Sequence, residues 1–113
     1  MKASDTFDLP ESEEVSEALQ YLAFTDAEMG KLSGAVQAEE YLYKQSLARQ
    51  YLAATGTVPE RDSSAKCDPD SIKHANRHVN AITDLKILQA KRKTAELTID
   101  VWRSINASRR QGQ

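Results

Sequence analysis

The stretch "LQAKRKTAELTIDVWRSINASRRQG", Leu88–Gly112, decides how this chain is read. It holds six Lys or Arg, one Trp, and Leu, Ile, Val and Ala at regular intervals. Placed at about 100° per residue, Ile87, Leu88, Ala90, Ala95, Leu97, Ile99, Val101, Trp102 and Ile105 share an arc of about 200°. Arg92, Lys93, Glu96, Asp100, Arg103 and Arg110 fill the rest. This is an amphipathic helix whose apolar side is too wide for one neighbour. A single antiparallel partner covers about half of such an arc. Ile87, Leu97, Ile99, Val101, Trp102 and Ile105 are therefore expected at an oligomer interface.

Upstream, Ile72, Ala75, Val79, Ile82 and Leu85 form a stripe rotated by more than about 100° from the later one. The helix then either bends near Leu85–Ile87 or changes partners there. Asp68 or Asp70 can cap its start, with Pro69 beside it. Before that, "ATGTVPE" ends an earlier helix: Gly56 suits a C-cap, Thr57 with Glu60 makes a capping box, and Pro59 fits a first turn. "TDAE" offers a further capping box, Thr25 with Glu28, and predicts a break between a short first helix and a long second one. Gly30 and Gly34, four apart in "GKLSG", suit a close helix crossing rather than a phosphate loop. The predicted organisation is an acidic arm over 1–12 and a single helical domain over 13–113, with helices at about 13–23, 26–54, 59–66 and 70–108. The fold class is all-α: a short N-terminal helix and two long antiparallel helices, a helical hairpin that assembles into a bundle oligomer.

Composition agrees. Among 113 residues only four are Gly and 28% are charged, which suits helices. The lone Cys67 excludes an internal disulfide and fits a reducing compartment, so the cytoplasm is expected. No run approaches the roughly 18 apolar residues of a membrane span, and the acidic N-terminus is the reverse of a secretory signal. The net charge of −2 hides a division: fourteen Asp or Glu against six Lys or Arg over 1–70, three against nine over 71–113. The basic half either meets an anionic partner or pairs with the acidic half.

Catalytic chemistry finds little support. The pairs Glu13/Glu14 and Glu39/Glu40 lack any sign of a pocket that would shift their pKa values. Cys67, Asp70, His74 and His78 are the one metal-like grouping, but their spacing matches no common zinc pattern, and neither metal nor cofactor is expected. An enzyme is not expected. The basic set at the end of the chain is the stronger signal, because phosphate binding needs several cations on one accessible face. Arg92, Arg103 and Arg110 fall within about 20° of one another, with Lys93 and Arg109 flanking. These five are the candidate nucleic-acid contacts.

At "GTVPERDSSA" and "AKRKTAELTIDVWRSINASRR" the sequence resembles a group of small helical proteins of tailed bacteriophages, often encoded among replication and recombination genes. The matching residues are Glu40, Tyr41 and Leu42, then Gly56, Thr57, Glu60 and Arg61, then Trp102, Arg103, Ser104, Arg109 and Arg110. The likeness covers about residues 38–112, and Pro59 and "CDPD" depart from its usual uninterrupted helix. It implies a non-enzymatic accessory protein of phage DNA replication or recombination, acting in the cytoplasm of the infected host. Such a protein would contact DNA, or a DNA-bound recombinase or single-strand-binding protein, through the basic last helix. The alternative is an interaction protein that inhibits or sequesters a host factor through its acidic N-terminal region.

Overall fold

The computed structural model describes residues 10–112, so most of the acidic arm expected over 1–12 lies outside the described residues. Everything described is helix or short connection, with three helices and no strand among these residues: α1 (Ser12–Ala53), α2 (Val58–Cys67) and α3 (Pro69–Gln111).

The break expected at Thr25 does not occur. α1 runs unbroken through "FTDAE", and Thr25 sits inside it, its Oγ1 donating to the Tyr21 carbonyl at 2.8 Å. The capping box is one local option; nothing between Leu22 and Glu28 forbids helix, since neither Gly nor Pro occurs there. Thr25 is 3% exposed, so burial against the rest of the chain decides the matter. The start of α1 is favoured by Glu13 and Glu14, whose charges lie at the positive end of the helix dipole.

The two connections follow local rules. Gly56 adopts φ +110°, a region open to Gly and strained for any other residue. Thr57 caps α2 by accepting from the Glu60 amide at 3.4 Å, with Pro59 in the first turn. Arg61 fastens the turn from the far side, its Nε donating to the Gly56 carbonyl at 3.1 Å and its guanidinium 5.9 Å from the Tyr51 ring centre. Asp68 ends α2 and begins α3: its Oδ1 accepts from the Asp70 amide at 2.9 Å, and its carbonyl accepts the first helical bond from Ile72 at 3.0 Å.

Contacts divide the chain into two compact units. The terminal unit draws on the chain up to Ala27 and from Leu88 onward; the central unit is Glu28–Ile87. The rotation of the stripe expected near Leu85–Ile87 is not seen: Ile72 and Val79 are exposed, and the covered positions Ser71, Ala75, His78, Ile82, Leu85, Leu88, Arg92, Ala95 and Ile99 follow one another at steps of three or four. In the terminal unit the start of α1 packs on the end of α3 through Val15, Ala18, Ala95 and Ile99, with Tyr21, Leu22 and Trp102 against them. In the central unit the fully buried side chains are Ser46 and Ser71, at 0% exposure, and Ala65 of α2 is buried as well. Gly30 and Gly34 mark no close crossing: nothing stands within 4 Å of where a Cβ would sit on either. Among the described residues no helix is long and apolar enough to cross a membrane.

Candidate nucleic-acid interface

The five candidate cations divide once the chain is folded. Arg92 is withdrawn from the strip. Its side chain is only 17% exposed, and its guanidinium grips α1 within the terminal unit. Nη1 donates to the Leu22 carbonyl at 2.9 Å and to Thr25 Oγ1 at 2.7 Å, and Nη2 donates to Asp26 Oδ1 at 2.7 Å. Arg92 points toward the core side of α3, along with Leu88, Ala95 and Ile99, so the helical geometry that groups it with Arg103 and Arg110 does not make it accessible. Thr25 completes the arrangement: it donates to Tyr21 and so presents a lone pair to Arg92. Neither Thr25 nor Asp26 was legible as its partner, because they lie 67 and 66 residues away in sequence.

Lys93, Arg103, Arg109 and Arg110 are exposed. Lys93 lies 3.9 Å from Glu96, a loose pair on the solvent side. Among the described residues Arg103, Arg109 and Arg110 form no salt bridge. Asp100 stands one turn before Arg103, and no Asp or Glu lies between Arg103 and Arg110. Arg109 also borders a hollow of about 390 Å³ with Trp102, Ile105 and Asn106 of α3 and Pro10, Glu11 and Ser12 of the chain start. Asn106 is turned inward, its Nδ2 donating to the Trp102 carbonyl at 2.9 Å.

The residues expected at an interface divide as well. Ile99 belongs to the chain's own core at 7% exposure, and Trp102, half-buried, packs against that core. Ile105 is half-buried. Ile87 and Leu97 remain 50% exposed and Val101 43%. α1 thus covers one edge of the wide apolar arc of α3 and leaves the other bare.

The central unit holds a polar cluster that sequence reasoning missed. Ser46 Oγ donates to Asp70 Oδ2 at 2.6 Å and lies 3.2 Å from Ser71 Oγ; Arg49 Nη2 reaches the same carboxylate oxygen at 3.3 Å. His74 Nε2 stands 3.7 Å from Asp70 Oδ1, while its buried Nδ1 has no partner among the described residues. The Ser46 hydrogen bond, helped by His74 and Arg49, holds the Asp70 carboxyl below its ordinary value against the opposing effect of desolvation. Glu40 is likewise held low by the hydrogen bond from Lys44, at 2.9 Å. No three of His, Cys, Asp and Glu come together as metal ligands among the described residues. Ser46 and Ser71 are single serines inside helical segments, a pattern that ordinarily marks solvent, and only their pairing across the chain reveals the cluster.

No family model, curated protein or solved structure matches the chain.

Proposed function

We propose that the chain is a non-enzymatic accessory protein of phage DNA replication or recombination, working in the host cytoplasm. Its basic C-terminal helix segment contacts DNA or a DNA-bound protein. Its two long helices form an antiparallel hairpin that assembles with further copies. The observation that supports this reading best is the set of Arg103, Arg109 and Arg110: exposed, free of salt bridges among the described residues, and with no acidic residue between them. Three accessible guanidiniums suit phosphate oxygens, which they approach as planar, permanently charged forks. Arg92 has no part in this contact. It holds the terminal unit together.

The test is binding to single- and double-stranded DNA across a salt series. Changing Arg103, Arg109 and Arg110 together to Gln removes three phosphate contacts and flattens the salt slope by about 2–3, with helicity nearly unchanged. Unchanged DNA affinity in that variant defeats the reading. The second reading, capture of a host factor, draws on α1, where Glu13, Glu14, Glu17 and Asp26 are exposed and no Lys or Arg occurs before Lys31. Under it the triple variant changes nothing, while Glu13→Lys with Glu17→Lys abolishes capture of the partner.

A further inference from the structure

We propose that one face of the terminal unit is a two-fold interface with a second copy of this chain, each copy seating a ridge of α3 in a groove of the other. This deepens the assembly part of the reading above and rests on it. The ridge is Leu97 and Val101, four residues apart on one side of α3, 50% and 43% exposed. The groove lies between the start of α1 and the end of α3 and measures about 480 Å³. Between its charged residues it is lined by Ala18 and Tyr21 of α1 and Thr94, Ala95 and Thr98 of α3. Thr94 and Thr98 also line a shallow hollow together with Leu97 and Val101, so the exposed pair and the groove adjoin on one face. A patch carrying both a projection and its complement side by side is what an isologous contact requires, because a two-fold rotation brings each onto the other.

Charge selects the same occupant. The α1 wall of the groove carries Glu14 and Glu17, and the α3 wall carries Lys91. None of the three forms a salt bridge among the described residues. A nucleic acid would meet two carboxylates there and be repelled. A second copy turned by the two-fold presents its Lys91 to Glu14 and Glu17, and the pairing occurs twice. A second copy would also cover Leu97 and Val101, which the unit's own core leaves exposed.

Light scattering and sedimentation on the full chain at micromolar concentration read the outcome, with circular dichroism as the control for folding. The wild type is expected to have the mass of a dimer, and Leu97→Glu that of a monomer with helicity retained. Lys91→Glu weakens association about tenfold or more by placing like charges together, and adding Glu14→Lys and Glu17→Lys restores it. Restoration distinguishes paired charges from simple damage to the fold. Independently, Leu97→Cys in a Cys67→Ser background is captured as a covalent dimer by a short bis-maleimide. A wild-type monomer overturns both this proposal and the assembly reading, while the DNA reading stands or falls on its own salt series. A dimer indifferent to Leu97→Glu and without charge rescue overturns this face alone.

Discussion

The terminal and central units are built from the same two long helices but differ in what each buries most deeply. The terminal unit closes on Val15, Ala18, Ala95 and Ile99, with the Arg92 grip at its margin. The central unit closes on Ser46 and Ser71, both fully buried and joined through Asp70. Apolar contact is non-directional and scales with area; a hydrogen-bonded cluster adds modest net stability but is costly when one member is left unmatched. The first kind of contact supplies cohesion, the second selectivity.

The sharpest way to break this contrast is Ile99→Ala. Truncation in the small apolar core is expected to cost about 2–4 kcal/mol, read as a lowered denaturation midpoint. Hydrogen exchange then accelerates first in the segments around Val15–Leu22 and Leu88–Ile99. Equal acceleration around Ser46 and Ser71 would show that the two units unfold as one. Arg92→Ala comes next, at about 1–3 kcal/mol, since it removes bonds to a carbonyl, a hydroxyl and a carboxylate. The contribution from Asp26, which is 69% exposed, is the least of these because water screens it. Arg92→Lys recovers little, because an ammonium lacks the fork that reaches three acceptors at once.

In the central unit, Ser46→Ala is expected to cost about 1 kcal/mol at neutral pH by removing Asp70's main donor and Ser71's neighbour. Its pH dependence tests the cluster more closely. Asp70 binds its proton less tightly in the fold than in the unfolded chain. The stabilisation is therefore complete above the ordinary carboxylate range and lost as pH falls below it. The gap between wild type and Ser46→Ala should narrow across that fall; a constant gap would mean that the hydroxyl matters only through packing. Smallest of all is Phe24→Ser, within about 0.5 kcal/mol by denaturation, because Phe24 is 85% exposed.

The parts of this fold legible in the sequence are those decided by neighbours in the chain. Gly56, Thr57 and Pro59, and then Asp68 with Pro69, mark the two connections because capping and left-handed backbone are local matters. The rotation of the α3 stripe expected near Leu85–Ile87 misled: Ile72 and Val79 are exposed, and the covered positions keep to one side, because Ser71, His78 and Arg92 fill places that an apolar-only count passes over. Thr25 misled because a capping box and a mid-helix threonine look alike until Arg92 arrives from far along the chain. The same arginine misled the candidate site: angular position on a helix groups it with Arg103 and Arg110, but accessibility depends on what packs beside it. Ser46, Ser71 and Asp70 carry no sign of one another in sequence.

The serine–aspartate cluster also acts on misalignment during folding. If the two helix segments of the central unit slid past each other by one helical turn, about 5.4 Å, the hydroxyls of Ser46 and Ser71 would part and Asp70 would lose its donor. Dry contacts among mixed Leu, Val and Ala side chains would penalise such a slip only weakly, because one aliphatic neighbour substitutes for another. The hydrogen bonds do not substitute. Ser46, Asp70 and Ser71 thus serve as a proofreading mark, rejecting slipped pairings that the aliphatic contacts alone would tolerate.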